Sequence, residues 1–177
     1  MQRTVKGLMI MLLAGLSACS TTPPAPSLTP EQQRLRLQTQ PLKTPLYLPV
    51  EHVRTQQLKD TWGAARSQGR RHEGIDIMAA KGTKVFSATD GIIADLKDNR
   101  LGGKVVWIRG PQNSWHYYAH LDGHKRGLNV GQWVNRGDLI GYVGHTGNAQ
   151  ASAPHLHYGI YLQGKGRGAV NPYPYLR

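Results

Sequence analysis

Hydrophobic and polar positions alternate between His155 and Leu162, where Leu156, Tyr158 and Ile160 stand at every second position. This period of two is typical of a half-buried β-strand. The alternation predicts that the opposite face of this strand carries His155, His157, Gly159 and Tyr161. Two imidazoles on one face suit metal binding by one ring and proton transfer by the other. The alternative is a polar strand face exposed to water.

Six further short segments are predicted as strands, and glycine stands at or between many of their ends. No long stretch has a helical period. Frequent turns between short strands predict an all-β domain at residues 46–177, built as a small antiparallel sheet, sandwich or barrel. The six segments are Gly74–Met78, Lys84–Ala88, Gly91–Leu96, Lys104–Arg109, Trp115–Ala119 and Asp138–Val143.

The N-terminal pattern is different, because a basic start is followed by an apolar run from Gly7 to Leu16. This run is too short to span a membrane and is typical of a signal-peptide core. The sequence Leu16-Ser17-Ala18-Cys19 resembles the lipobox of bacterial lipoproteins. The resemblance implies a signal peptide at residues 1–18 and lipid attachment at Cys19. A secretory signal with a chance cysteine is the alternative.

Residues 19–45 are predicted as a tether, since seven of the 11 prolines lie between Pro23 and Pro49. Such a composition makes a packed core unexpected there. One short helix is predicted within the tether. Its N-cap is Thr29, its first residue is Pro30, and Gln32 completes a capping box.

The composition limits the kinds of partner molecule expected for this chain. The 177 residues include 22 Lys and Arg against 10 Asp and Glu, which favours an anionic partner such as nucleic acid, a membrane or an acidic envelope polymer. The export signal argues against nucleic acid. The single cysteine excludes an internal disulfide.

Two more motifs carry possible chemistry. His72 and Asp76 are four residues apart and lie on one side of a strand or a helix, and an imidazole with a carboxylate suits zinc. A surface histidine with a salt-bridged aspartate is the alternative. His120 follows an aromatic strand and, taken alone, is typical of a loop.

Taken together, these motifs resemble the lysostaphin/LytM-type zinc metallopeptidase family, which cleaves peptide cross-links of bacterial peptidoglycan. The resemblance extends from about Trp62 to Asn171. It rests on HEGID at 72–76, YAHL at 118–121, the glycine-rich run VGQWVNRGDLIGYVGHTG at 130–147, and the final HLH at 155–157.

The resemblance implies a small barrel-like antiparallel fold with an open groove and one Zn²⁺ per chain. It implies that His72, Asp76 and His157 bind the zinc and that His120 and His155 are catalytic. Three protein ligands leave a fourth position for water, as in catalytic zinc sites.

The implied activity is hydrolysis of peptidoglycan cross-links, with the D-alanyl–diaminopimelate bond as the expected target. The alternative is a non-hydrolytic module that activates other cell-wall hydrolases. The expected partners are peptidoglycan, a membrane reached through the lipid anchor, and a regulatory protein. For a Gram-negative source, the lipoprotein resemblance implies the periplasmic face of the outer membrane, because Ser20 rather than Asp follows the cysteine.

Three positions depart from the family pattern: Lys84 replaces proline, Ala153 replaces glycine, and Gly159 replaces glutamate. None of them is a predicted ligand. Three arginines just before the first ligand either attract anionic stem peptides or belong to a solvated loop. They are Arg66, Arg70 and Arg71. The remaining histidines are predicted to be structural or exposed, with His145 as the one that would line the groove.

Overall fold

A computed structural model describes residues 28–177, so Cys19 and the predicted signal peptide lie outside the described residues. Within this part, no helix has the length and hydropathy of a membrane span. The described part contains one α-helix, nine strands and several 3₁₀ turns. These elements are α1 (Pro30–Thr39), β1 (Ile75–Met78), β2 (Lys84–Phe86), β3 (Gly91–Asn99), β4 (Gly103–Arg109), β5 (Trp115–His124), β6 (Trp133–Val134), β7 (Leu139–Val143), β8 (His155–Tyr161) and β9 (Ala169–Val170).

All strand pairs are antiparallel, and the main sheet has the order β1-β8-β5-β4-β3-β6. Strand β7 pairs with both β2 and β5, and β9 pairs with β8. The antiparallel all-β prediction is confirmed. The barrel-like closure is not, because the outer strands β1 and β6 do not pair with each other among the described residues.

The two faces of β8 differ as the alternation predicts. Leu156, Tyr158 and Ile160 have no exposed surface and belong to the main hydrophobic core. His155 and His157 point to the opposite face, where they line a cavity. The sheet therefore packs its core on one side and keeps the chemically active side chains on the other.

Helix α1 begins with the predicted capping box. The Gln32 amide donates to the Thr29 hydroxyl at 3.3 Å, and the Thr29 amide donates to the Gln32 side chain at 2.9 Å. The helix also packs on the domain, because Leu37 is 1% exposed and Gln40 just beyond the helix donates to Asp90 at 3.0 Å. The expected absence of packing in the tether is therefore wrong for this helix.

Strand β5 continues past Ala119, where the sequence pattern predicts its end. His120 interrupts the ladder with a φ of 61°, and its amide donates to the carbonyl of Gly102 at 2.7 Å. Such a conformation is strained for a residue other than glycine and is typical of functional positions. This local break turns the side chain of His120 towards the cavity lined by His155 and His157.

Candidate metal centre

Three donor side chains meet at the edge of the sheet. Asp76 on β1 and His157 on β8 are direct register partners, and His72 lies just before β1. The Asp76 Oδ1 atom is 3.0 Å from His72 Nε2 and 3.3 Å from His157 Nδ1. The two imidazole nitrogens are 2.8 Å apart. Sheet register and one preceding turn thus bring all three donors together.

The turn between His72 and Asp76 passes close to the second imidazole. A Cβ at Gly74 would lie 2.6 Å from the carbonyl oxygen of Tyr158 and 2.7 Å from the His157 ring. These separations are shorter than a van der Waals contact, so only glycine fits. The glycine of the HEGID motif therefore leaves the space that the His157 imidazole occupies.

Thr61 orients two of the donors through its backbone and its side chain. Its carbonyl oxygen accepts from His72 Nδ1 at 2.7 Å, and its hydroxyl accepts from the Asp76 amide at 3.0 Å. Because Nδ1 of His72 donates, its Nε2 carries the lone pair that faces the other donors. Sequence reasoning missed Thr61, because a backbone carbonyl leaves no residue-type signal.

The donor set fits zinc. Two imidazole lone pairs at 2.8 Å repel each other unless a proton or a cation lies between them. Tetrahedral zinc with bonds of 2.0–2.1 Å separates its ligands by roughly 3.3 Å, close to the separations at this site. Two nitrogens and one carboxylate oxygen, with no fourth histidine, cysteine or acid in the cluster among residues 28–177, match a catalytic rather than a structural zinc site.

The protonation states also suit metal binding. Burial by itself raises the pKa of Asp76, but close contacts with the imidazoles of His157 and His72 outweigh it and hold that pKa well below its usual range. Burial lowers the pKa of His157 despite the opposing effect of Asp76. An ionised carboxylate and a neutral imidazole are the forms that bind a metal ion. Arg66 Nη2 holds the other oxygen of Asp76, Oδ2, at 2.5 Å.

His120 and His155 stand beside the three donors, with ring centroids 5.0 Å apart. Nδ1 of His120 donates to the carbonyl oxygen of Thr146, and Nδ1 of His155 donates to that of Ala153, both at 2.9 Å. Each Nε2 is therefore left as an acceptor. Burial, with a smaller contribution from the nearby His157 imidazole, lowers the pKa of His120 to about 4, so His120 is neutral at physiological pH.

All five predicted site residues line one cavity of about 700 Å³. Sequence reasoning did not assign Tyr117 to the site, although its ring centroid lies 5.8 Å from that of His157. His145 does not line this cavity. His116 is fully buried between Ser114 and Tyr158, as a structural histidine would be.

Gly159, which replaces the glutamate of the family pattern, lies where the neighbouring atoms leave little space for a side chain. A Cβ at this position would lie 3.0 Å from the carbonyl oxygen of Glu73 and 3.1 Å from the ring of Tyr161. Tyr161 also lines the cavity. The tyrosine ring therefore borders the space that a longer side chain at position 159 would enter.

Two imidazoles, a carboxylate and two further histidines in one cavity form a site of the metallopeptidase class. The chain belongs to Peptidase family M23, which it matches over residues 70–172. This match contains the three candidate metal ligands and both neighbouring histidines. The prediction from sequence motifs is thereby confirmed at the level of the family.

Curated relatives are named as endopeptidases, and some of these names specify peptidoglycan. The chain is 42% identical over 127 residues to an L-Ala–D-Glu endopeptidase of Bacillus subtilis, covering 67% of this chain and 39% of that protein. It is 34% identical over 97 residues to the peptidoglycan DD-endopeptidase ShyC of Vibrio cholerae, covering 55% and 22%. The chain therefore matches well under half the length of these relatives.

Solved structures agree on the fold. A putative glycyl-glycine endopeptidase LytM from Ruminococcus gnavus superposes with a TM-score of 0.63 at 34% identity, covering 81% of this chain and 62% of that chain. The catalytic domain of lysostaphin from Staphylococcus simulans gives 0.60 at 26% identity, covering 69% and 94%. The LytM-like architecture expected from the motifs is present.

Proposed function

We propose that this chain is a zinc-dependent endopeptidase that hydrolyses peptide cross-links of peptidoglycan. The observation that carries the proposal is the convergence of His72, Asp76 and His157 within one open cavity. Membership of Peptidase family M23 and the endopeptidase names of its relatives support cell-wall peptide hydrolysis. The choice of zinc follows from the nitrogen and carboxylate donors.

Zinc at this site would polarise the scissile carbonyl group and lower the pKa of a neighbouring water molecule. Residues of the protein then transfer the proton of this water molecule. His155 Nε2 lies 3.8 Å from Asp76 Oδ1 and is an acceptor, so it takes the proton of the attacking water and returns it to the leaving amine. His120 supplies a second Nε2 acceptor, which holds the water in place for attack.

We propose the D-alanyl–diaminopimelate bond as the target, in line with the relatives named as DD-endopeptidases. The Bacillus relative is named for a different bond, L-Ala–D-Glu. Purified full chain and a cross-linked muropeptide dimer, analysed by mass spectrometry, distinguish the two. Conversion of the dimer to monomers supports the proposal, whereas release of a peptide that begins with D-Glu, with L-Ala left on the sugar, identifies the L-Ala–D-Glu bond.

The alternative is a module that activates other hydrolases without cleaving. The cavity and its five side chains argue for hydrolysis, because such a module does not need them. Adding a cell-wall amidase to the same assay separates the two functions. Faster amidase action without any cleavage by the chain alone would favour the activator.

We further propose that lipid on Cys19 anchors the chain to the periplasmic face of the outer membrane. The support is the lipobox-like Leu16-Ser17-Ala18-Cys19 sequence. More than one acyl chain makes such an anchor stable. Cys19→Ala should move the protein from the membrane fraction to the soluble fraction. A variant that stays with membranes would contradict the anchor.

A further inference from the structure

Residues 63–72 form a short hairpin, named here the arginine hairpin, that ends at the first metal-site residue. The amide of Gly63 donates to the carbonyl of His72, and the amide of Arg66 donates to the carbonyl of Arg70, both at 2.9 Å. An isolated antiparallel bridge joins the two arms between these bonds. The hairpin is therefore a hydrogen-bonded element that extends from the metal centre.

The arginine hairpin carries three arginines, and all of them line the cavity of the metal centre. Among residues 28–177, only two acids, Glu73 and Asp76, line the same cavity. Arg66 is paired with Asp76. The cavity wall on this side is thus positively charged, and a bound divalent cation would add to that charge. Because Glu73 offsets one of the two remaining arginines, Arg70 and Arg71 together leave an excess of one positive charge.

Neither of these two arginines pairs with a carboxylate among residues 28–177. Arg70 donates to the hydroxyl and the carbonyl of Ser67 at 3.2 and 3.3 Å, and Arg71 donates to the carbonyl of Gly63 at 3.4 Å. A guanidinium has five donors, so both side chains retain donors for a ligand. The planar arrangement of these donors matches a carboxylate.

We propose that Arg70 and Arg71 bind a carboxylate of the substrate peptide, on a residue next to the scissile bond. This inference rests on the proposed function, since it concerns the substrate of the same site. Interior residues of an ordinary peptide have no free α-carboxylate, whereas γ-linked glutamate and diaminopimelate in stem peptides do. The hairpin therefore selects acidic stem peptides over their amidated forms.

The test uses two synthetic cross-linked stem-peptide dimers that differ only in the group next to the scissile bond, a free carboxylate in one and a carboxamide in the other. The zinc-loaded full chain should cleave the carboxylate form with a KM about tenfold lower, as one charge-assisted hydrogen-bond pair predicts. Arg70→Gln and Arg71→Gln should each remove most of this difference by raising the KM for the carboxylate form alone. Arg126→Gln, an exposed arginine that does not line the cavity, is the matched control.

Calorimetry measures the affinity of the chain for each peptide. This affinity tests the arginine hairpin independently of the proposed endopeptidase activity. Tighter binding of the carboxylate form, lost in Arg70→Gln and Arg71→Gln, supports the arginine hairpin even if no peptide is cleaved, and that result would contradict only the endopeptidase. Equal binding and equal KM for both peptides in the unsubstituted protein would overturn the inference. An equal loss of binding affinity for both peptides in Arg70→Gln and Arg71→Gln would also overturn the inference.

Discussion

Asp76 and His157 face each other as direct partners across β1 and β8, with Asp76 Oδ1 3.3 Å from His157 Nδ1. This pairing makes the geometry of the candidate metal centre depend on the strand register. A slip of one residue would turn one of the two side chains to the core face. His72 lies four residues before Asp76, so only a short turn is needed to bring its side chain to the other two. Most of the site geometry therefore follows from the sheet itself.

Arg66 is expected to hold Asp76 in its ligand orientation, since its guanidinium lies 2.5 Å from Asp76 Oδ2. We predict that Arg66→Gln weakens zinc affinity by about 10–100-fold, as loss of an outer contact commonly does. Competition with a fluorescent zinc chelator measures this affinity. The control is Arg126→Gln, which should bind zinc normally. Unchanged affinity in Arg66→Gln would exclude this positioning role.

Gly74→Ala is predicted to displace the His157 ring. The added methyl group would lie 2.7 Å from that ring and 2.6 Å from a backbone oxygen that cannot move freely. We expect loss of zinc binding and a destabilisation of about 1–3 kcal/mol, typical of overpacking. Metal analysis and denaturant unfolding measure the two effects. Gly123→Ala is the matched control, because a Cβ there meets no atom within 4 Å.

His155→Ala and His120→Ala should retain zinc and lose rate. Neither side chain belongs to the three-residue donor cluster, yet both line the cavity. Removal of a general acid–base group commonly lowers kcat by about 10²–10⁴-fold. Zinc content and steady-state kinetics on the same samples provide the comparison. A variant that loses its zinc together with its rate would instead make that histidine a ligand.

Burial of His116 makes folding stability depend on pH. Burial lowers the pKa of this fully enclosed histidine to about 3, whereas its ordinary value is 6.5. Between these values the unfolded chain binds a proton that the folded chain does not, so stability falls as pH decreases. One such group contributes a slope of about 1.4 kcal/mol per pH unit.

His116→Gln should reduce this slope by about 1.4 kcal/mol per pH unit, which is the contribution of one proton. The side-chain amide of the glutamine can still contact Ser114 and Tyr158. Urea unfolding at a series of pH values from 4 to 7 measures the slope. Other buried histidines contribute equally to both proteins and cancel in the difference. Identical slopes for the two proteins would mean that His116 titrates normally in the fold.

Strand positions were predictable wherever a period of two meets a turn residue. All seven predicted strands are present, and the buried face of β8 is the predicted one. The two-residue strands β6 and β9 are too short to produce a periodic pattern. The extension of β5 beyond Ala119 depends on a positive φ at His120, which no alternation of residue types signals.

The composition of the site was predictable, but its supports were not. Sequence motifs singled out the five residues that the fold gathers in one cavity. Their individual roles stay predictions until variants are measured. Thr61 acts largely through backbone geometry and Arg66 through a contact with a residue ten positions away. The packing of α1 was missed because proline-rich composition concealed the one buried leucine, Leu37.

Zinc bound by His72, Asp76 and His157 is proposed to be essential for hydrolysis. The direct measurement is zinc content and release of peptide fragments from purified sacculi by the full chain. The predicted result is about one zinc per chain, as in catalytic mononuclear sites, with hydrolysis abolished by a chelator and restored by added zinc. Asp76→Asn should lack both zinc and activity. Undiminished hydrolysis after complete removal of the metal, or by Asp76→Asn, would contradict the account.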